Sequence, residues 1–362
     1  MIEAKSRRYN AMSGMTSQLL SQKRQSRTNN SVEASIIIPT FNNALRIGNC
    51  LDALLQHTQG RNVEILVVND GSTDDTADVV RRYPTVRLIN QANAGPAAAR
   101  NRGAMECSGQ VLVFTDDDCI ATPGWLDSML EPFQQPEVVG VKGAYRTRQK
   151  SLLARFVQIE YEDRYRLMNS ADSIDFVDTY SAAFRRDRFF EMSGYDTSFP
   201  VACAEDIELS YRMSNAGWKM KFAPEAIVYH THPDTLRTYL TKKYKFAFWR
   251  VEAVRKNPGK GIKDSHTPQL MKLQLLFAPA LLATLLLDLA ISPNFLVSIL
   301  VVGLFLLSTL PFAIRAFTKD PMVGLLSPVL LALRACAQLV GVSGGLVHTL
   351  VSPTKIPSKS HA

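Results

Sequence analysis

Residues 63–82, VEILVVNDGSTDDTADVVRR, join a β-rich apolar run to a polar turn and a helical pattern. The run ends at Asp70, and Ser72 or Thr73 can cap the helix that follows. Three similar apolar runs, each separated from the next by a helical pattern, are SIIIPT at 35–40, VRLIN at 86–90 and VLVFTD at 111–116. Strand–helix alternation of this kind gives a sheet buried on both faces. The sequence therefore predicts an α/β fold with a mainly parallel central sheet.

Polar residues gather where these predicted strands end, at Pro39–Thr40, Asn69–Asp70 and Asp116 to Asp118. Sheets of this class bind ligands beyond the carboxyl ends of their strands. On an extended segment the side chains of Asp116 and Asp118 would share one face. Two such carboxylates suit Mg²⁺ or Mn²⁺, and a cation would offset the repulsion among the three aspartates. A solvated acidic loop is the alternative for the same residues.

The charge and cysteine content exclude several classes of protein. The chain has 362 residues, a net charge of +8 and five scattered cysteines without a CxxC pair. That spacing argues against a disulfide framework and against a zinc site. Residues 1–32 are polar and basic without an apolar core, which predicts a flexible tail and no secretory signal. No recognised motif supports nucleic-acid binding, so we expect no nucleic-acid partner.

A basic amphipathic segment at 236–272 precedes a hydrophobic region at 273–351. Basic residues beside apolar segments indicate a cytoplasmic flank that contacts membrane lipids. Within the hydrophobic region, residues 273–291 and 295–314 each match the length of a transmembrane helix. We therefore expect a multi-pass protein of the inner (cytoplasmic) membrane, with the part before the helices in the cytoplasm.

A third apolar segment, 322–351, contains Arg334 and a cluster of glycines. It could cross the membrane, or it could be re-entrant or lie in the membrane plane with Arg334 reaching a phosphate headgroup. The second arrangement is favoured because it keeps the lysines of the tail at 352–362 on the cytoplasmic side.

Five motifs stand in a characteristic order, namely IIIPTFNN, VVNDGSTDDT, NAGPAAARNRG, FTDDDC and AEDIELSYRM. Over residues 33–232 the chain resembles family 2 glycosyltransferases, which are inverting enzymes with the GT-A nucleotide-sugar fold. The resemblance implies a catalytic domain at 33–235, a nucleotide-sugar donor, most often a UDP-sugar, and Mg²⁺ or Mn²⁺ as cofactor.

The resemblance also assigns roles to the residues of the predicted donor site. Asp116 and Asp118 match the metal-binding D-x-D motif, with Asp117 between them at the nucleotide site. Asp70 is expected to hydrogen-bond the base, and Pro39 and Thr40 to shape the wall of that pocket. The other interpretation of Asp70 is an ordinary turn with Gly71.

Four further residues complete the predicted site. Arg100 lies one turn into a helix, where its guanidinium could pair with the diphosphate or form a surface ion pair. By resemblance Asp206 is the catalytic base and Glu205 helps to position the acceptor, although Asp206 could instead cap its helix. Some family members use a histidine at the position of His230 as a metal ligand, but a structural histidine is equally open. Glu208 and Arg212 have the spacing of an intrahelical ion pair.

Processive members of the family carry a Q-x-x-R-W motif after the acidic pair. The corresponding stretch here, LTKKYKFAFWRVE, has Trp249 without the matching Gln and Arg. This favours addition of a single sugar. Three functions remain open: transfer to a lipid-linked or other membrane-proximal glycan, transfer to a polyprenyl phosphate, and a non-catalytic scaffold that binds nucleotide sugars.

Overall fold

The computed structural model describes residues 32–199, 203–261, 264–291 and 294–351. The expectations for the tails at 1–32 and 352–362 lie outside the described residues, apart from residue 32. The first half of the domain alternates strands and helices as the sequence predicts. Its elements are β1 (Ala34–Thr40), α1 (Ile47–His57), β2 (Val63–Asp70), α2 (Thr76–Arg81), β3 (Val86–Gln91), α3 (Pro96–Glu106) and β4 (Val111–Thr115).

The second half of the domain contributes strands of two to eleven residues and one helix of 18 residues. Its elements are β5 (Ile120–Ala121), α4 (Trp125–Leu130), a 3₁₀ turn (Glu131–Gln134), β6 (Val138–Arg146), α5 (Leu152–Asn169), β7 (Ser181–Arg185), α6 (Arg186–Glu191), α7 (Glu205–Asn215) and β8 (Lys219–Tyr229). After it follow α8 (Leu236–Lys256) and three apolar helices, α9 (Gln269–Ile291), α10 (Leu296–Lys319) and α11 (Pro321–Val351).

The eight strands form one sheet in the order β3-β2-β1-β4-β7-β6-β8-β5. Strands β3, β2, β1 and β4 are parallel, as the alternating pattern predicts. Strand β7 runs antiparallel between β4 and β6, and β5 pairs antiparallel with β8. The α/β prediction is confirmed, but the sheet is mixed because only its first half is built from strand–helix–strand units.

Both faces of the sheet are buried, which explains the unbroken apolar run of β1. Ile36 and Ile38 pack in one cluster with α1, whereas Ile37 packs in a second cluster on the side of α3. A Cβ on Gly103 of α3 would lie 2.4 Å from Cγ2 of Ile37, so this helix sits very close to the sheet. The rigid sheet fixes the loops at its carboxyl edge, where the candidate site lies.

Helix α5 fastens the apolar helices to the domain. One side of it carries charged residues that pair with the end of α10 and with α11. Glu160 is 2.7 Å from Nη1 of Arg334, and Asp163 is 2.7 Å from Arg315. Two further ion pairs on the same helix are Arg155–Asp320 and Glu162–Lys319.

Helices α9, α10 and α11 are each long and apolar enough to cross a membrane, with mean hydropathies of 2.0, 2.4 and 1.8. Helix α11 continues without a break through Arg334 and the glycines. The headgroup role expected for Arg334 is wrong, because its side chain is buried and binds Glu160 and Gln274. Whether α11 crosses the bilayer or lies along it stays a prediction.

The glycines of α11 serve packing against α8. A Cβ on Gly341 would lie 2.5 Å from the backbone oxygen of Tyr244, and one on Gly345 would lie 2.5 Å from that of Phe248. The two glycines lie one helical turn apart and so face the same neighbour. They allow the backbones of the two helices to approach closely, as small residues do in membrane bundles.

Replacement of Gly341 by valine is expected to destabilise the protein by about 1–3 kcal/mol, because the added side chain overlaps the α8 backbone. The measurement is thermal unfolding of the detergent-solubilised protein. Gly303→Val is the matched control, since a Cβ at Gly303 on α10 has no neighbour within 4 Å among the described residues. Equal melting temperatures for the two variants would contradict the close packing of α8 and α11.

Candidate active site

The three consecutive aspartates lie in a turn at the carboxyl end of β4. The strand ends at Thr115, and the N–H of Cys119 donates to the backbone oxygen of Asp116 at 3.1 Å. The extended segment expected for these residues is therefore wrong. Because the chain turns here, the carboxylates of Asp116 and Asp118 have different partners, Arg100 and His230 respectively.

The middle aspartate is bound to the end of β1. The hydroxyl of Thr40 donates to Oδ2 of Asp117 at 2.5 Å. Burial is the main reason that the pKa of Asp117 rises to about 6, and the hydrogen bonds from Thr40 and Asn43 oppose the rise. The structure thus brings two predicted nucleotide-site residues together, although the contact between them is internal to the protein.

Asp118 and His230 form the part of the site that fits a metal ion. Nε2 of His230 lies 3.3 Å from Oδ1 of Asp118, while Nδ1 of His230 is buried without a hydrogen-bond partner among the described residues. Burial raises the pKa of Asp118, but the hydrogen bond and charge of His230 and the charge of Arg46 outweigh it, so the net pKa is lowered. Mg²⁺ and Mn²⁺ prefer oxygen ligands, so the carboxylate of Asp118 is the group of this pair that suits them best.

Cys119 lies next to Asp118 and His230, and no role for this cysteine was predicted from the sequence. Ligand atoms of Asp118, Cys119 and His230 lie within 4.8 Å of one another. Burial, followed by the charges of the nearby aspartates, raises the pKa of the Cys119 thiol far above its ordinary value. Since the thiolate is the form that binds metals, Cys119 is a poor ligand here. Asp116, the other predicted ligand, is not part of this cluster.

Arg100 joins the two acidic motifs of the site. Its Nη2 lies 2.8 Å from Oδ1 of Asp116, and its Nη1 lies 3.0 Å from Oε1 of Glu205. The side chain is only 2% exposed. This differs from the expected contact with a diphosphate, because both terminal nitrogens already bind carboxylates. Arg100 therefore acts as a positioning residue that fixes Asp116 relative to the start of α7.

Glu205 is buried, and both of its carboxylate oxygens have partners within the protein. It is 1% exposed, and its Oε2 accepts the backbone N–H groups of Cys203 and Ala204 at 3.0 and 3.2 Å. Direct positioning of the acceptor is therefore not the role that the geometry favours. Glu205 holds Arg100 and the turn before α7.

Asp206 has the properties of a general base. Its pKa is raised to about 7, first by burial and then by the charge of Glu205. Its Oδ1 accepts the N–H of Ile207 at 2.8 Å, but the N-cap residue of α7 is Ala204, so Asp206 is not the capping residue. A carboxylate with a pKa near neutral can both take up and release a proton at physiological pH.

On the same helix the predicted Glu208–Arg212 pair is confirmed, with a closest distance of 2.7 Å.

Asp70 organises the loop that leads into α3. Its carboxylate accepts the N–H groups of Ala94 and Gly95 at 2.9 and 2.8 Å, together with the amide of Gln91 at 2.7 Å. These contacts were missed, because they join residues more than twenty positions apart. The base-binding role of Asp70 and the wall formed by Pro39 stay predictions.

Comparison with known proteins identifies the domain. The model of the family "Glycosyl transferase family 2" matches residues 35–192, which contain the sheet edge and the aspartate turn. The chain carries a family 2 glycosyltransferase domain. Its fold is similar to that of mannosyltransferase PcManGT from Pyrobaculum calidifontis, solved with GDP-Man and Mn²⁺, at a TM-score of 0.58, 21% identity and coverage of 87% of both chains.

Curated relatives of the glycosyltransferase domain include two bacterial proteins. The pre-mycofactocin glycosyltransferase of Mycobacterium tuberculosis is 26% identical over 220 residues, covering 58% of this chain and 45% of that protein. The probable glycosyltransferase YdaM of Bacillus subtilis is 28% identical over 236 residues, covering 59% and 54%. The chain thus spans about half the length of the curated relatives it matches.

A cavity of about 640 Å³ connects the glycosyltransferase domain to the apolar helices. Asp116, Asp206 and His230 line one end of it. Leu275 of α9 and Val342 and Leu346 of α11 line the other end. The sequence did not predict this cavity, because its walls come mainly from α5, α7, α8, α9 and α11, whose mutual packing has no local sequence signal.

The basic segment before the apolar helices was expected to contact membrane lipids, but part of it lines the cavity. Several of its side chains, including Lys242, Lys243 and Arg250 of α8, line the cavity. Lys243 is 2.9 Å from Glu160, and Arg250 is 2.8 Å from Asp264. The positive charge that indicated a membrane flank is thus partly turned inward, toward the space between the site and the apolar helices.

Proposed function

We propose that the chain moves one sugar from a nucleotide-sugar donor, a UDP-sugar by resemblance, to a lipid-linked glycan acceptor, with inversion at the transferred carbon. The observation that carries this proposal is the cavity that runs from Asp116, Asp206 and His230 to the apolar surfaces of α9 and α11. An acceptor with a hydrocarbon anchor can lie along the helices while its polar head reaches the carboxylates.

In the proposed reaction the acceptor hydroxyl attacks the anomeric carbon of the donor sugar. The bond from that carbon to the diphosphate oxygen breaks, and the nucleoside diphosphate leaves. Asp206 accepts the hydroxyl proton, and its pKa of about 7 suits that transfer. Arg100 and Glu205 hold the start of α7 and so keep Asp206 in place.

The residues of the aspartate turn could bind a divalent cation that assists the departure of the nucleoside diphosphate. Asp118 and His230 would hold Mg²⁺ or Mn²⁺, with Asp116 as the remaining predicted ligand. The ion would neutralise the charge of the diphosphate leaving group. The ionised carboxylate of Asp118 and the Nε2 of His230 beside it are the features of this chain that fit such an ion.

Location at the inner membrane with the domain in the cytoplasm is part of the same proposal. It is supported by three helices that could cross a membrane and by the basic residues around them. A polyprenyl phosphate is the second candidate acceptor, which the basic lining of the cavity favours. The non-catalytic scaffold is disfavoured because the environment of Asp206 suits proton transfer, which a scaffold does not need.

We expect membranes that contain the protein to transfer label from one nucleotide sugar into a butanol-soluble product when Mn²⁺ or Mg²⁺ is present. The measurement is partition of the label between butanol and water across a panel of donors. Asp118→Ala should lower the butanol label by roughly tenfold or more, because loss of metal-site groups costs at least that much.

Asp127→Ala is the matched control, since Asp127 is an exposed carboxylate on α4 that pairs with Arg61 outside the site. It should behave like the wild type. Absence of butanol label with every donor would refute the lipid-linked acceptor, and transfer that survives chelation of the metal would refute the metal requirement.

A further inference from the structure

We propose that the cavity binds the phosphate or diphosphate of the acceptor lipid, on Arg164, Lys242 and His266. The inference deepens the proposed function and rests on it. It narrows the acceptor to a sugar linked through phosphate to a lipid, with its hydroxyl at Asp206 and its hydrocarbon between α8, α9 and α11.

Six basic side chains line the cavity besides Arg100. They are Arg164, Lys242, Lys243, Arg250, Arg255 and Lys272. The carboxylates that pair with them are fewer and are shared. Asp264 serves both Arg250 and Lys272, at 2.8 and 2.9 Å. Glu160 likewise serves Lys243 and also Arg334 of α11. The same lining also carries Asp116, Asp178, Glu205 and Asp206. The cations that have no carboxylate partner are therefore the ones that favour an anionic ligand in this partly buried space.

Two of these cations have no carboxylate within ion-pair distance in the described part of the chain. Nζ of Lys242 lies 5.8 Å from the ring centroid of Phe246, and the guanidinium of Arg164 lies 5.6 Å from that of Tyr161. Nη1 of Arg164 is 3.1 Å from Nε2 of His266. Both side chains therefore keep donors for a ligand in the cavity.

His266 adds a third donor beside Arg164. Because a guanidinium only donates, Nε2 of His266 must accept, and the ring proton is then on Nδ1. The ring is 7% exposed, and Nδ1 has no partner among the described residues. Such a buried, unpaired N–H costs free energy unless a ligand accepts from it. A phosphate oxygen is the acceptor that best complements an arginine, a lysine and an imidazole N–H.

The other lining residues indicate how the rest of the ligand lies. Aliphatic side chains of the helices also line the cavity, namely Val251 and Val254 of α8, Leu275 of α9 and Val342 of α11. Asp206 of the domain lines the same cavity. An acceptor whose phosphate itself attacked would need no base, whereas a sugar hydroxyl does. A base and a separate set of cations in one cavity therefore fit a lipid phosphate that carries a sugar.

The test measures binding to the full-length protein in detergent micelles, without donor and without turnover. The probes are radiolabelled phytanyl phosphate and phytanol, which share one hydrocarbon chain and differ in charge. Wild type should bind the phosphate roughly tenfold tighter than the alcohol, as expected for charge-assisted hydrogen bonds. Lys242→Met and Arg164→Gln should each remove most of that preference.

Lys245→Met is the matched control, because Lys245 is an exposed lysine of the same helix that does not line the cavity. It should bind both probes like the wild type, and Lys242→Arg should keep the preference for phosphate. Equal binding of phosphate and alcohol by the wild type, or unchanged selectivity in both cavity variants, would overturn the proposal.

Competition with other anions shows whether the site binds a lipid phosphate, free phosphate or the nucleotide. Excess inorganic phosphate should displace phytanyl phosphate weakly, because it lacks the hydrocarbon. Displacement by UDP would overturn the proposal, since it would assign these cations to the donor. Charge-selective binding without sugar transfer in the butanol assay would refute the proposed function and leave the anion site standing. Transfer without charge-selective binding would refute the anion site alone.

Discussion

Asp206→Asn is expected to lower turnover by about 10²–10⁴-fold, the usual contribution of a general base. Asparagine keeps the size of the side chain but cannot accept the proton of the acceptor hydroxyl. The apparent affinity for the donor should change little, because the base acts on the acceptor. Steady-state kinetics with the identified donor are the measurement. Asp234→Asn is the control, since Asp234 is exposed and does not line the cavity.

The pH dependence of turnover gives a second readout of the same residue. Asp206 works only when deprotonated, and burial together with Glu205 raises its pKa to about 7. The wild-type rate should therefore increase as the pH rises through about 7 and level off above it. The rate of the Asp206→Asn variant should not show this increase with pH. Near-normal turnover by the variant would show that the attacking group is already an anion, which would favour a polyprenyl phosphate acceptor.

Arg100→Met is expected to destabilise the protein by about 3–5 kcal/mol, because it leaves a buried carboxylate without its cation. Glu205 would keep only the N–H groups of Cys203 and Ala204. The measurement is thermal or denaturant unfolding of the solubilised protein. Arg102→Met is the matched control, since Arg102 lies on the same helix and pairs with Glu106 at the surface, where ion pairs contribute little.

A double variant tests the reason for that loss. Arg100→Met combined with Glu205→Gln removes the buried negative charge along with its partner, and so should recover part of the stability. If Arg100→Met unfolds at the same temperature as Arg102→Met, Arg100 does not hold the two acidic motifs together.

The sequence predicted the features that depend on local pattern. Strands β1 to β4 follow from their β-rich apolar runs, and the location of the site follows from the polar residues at their ends. The Glu208–Arg212 pair could also be predicted from the sequence, because a spacing of four residues on a helix brings the two side chains together. Motif order added the family, which no spacing rule supplies, and the roles predicted for Asp118 and Asp206, which stay predictions.

The predictions that differ from the structure concern partners distant in sequence. Arg100 binds Glu205, which lies 105 residues away, and Arg334 binds Glu160, which lies 174 residues away. When the partner of a charged residue is unknown, the sequence suggests that its side chain contacts solvent, a ligand or a lipid headgroup. Its buried partner is defined only once the chain has folded, so the cavity between α5, α8 and the apolar helices had no sequence signal either.

The ion pairs of α5 have a mechanical consequence. They fasten the glycosyltransferase domain to α10 and α11 at several points along one helix, and Glu160 among them is buried. A domain held in this way cannot tilt freely on these helices. If the helices span the bilayer and the acceptor is lipid-linked, as proposed, the reaction centre would stay at a constant height above the bilayer, and a lipid whose head group is too short or too long would present its hydroxyl at the wrong level.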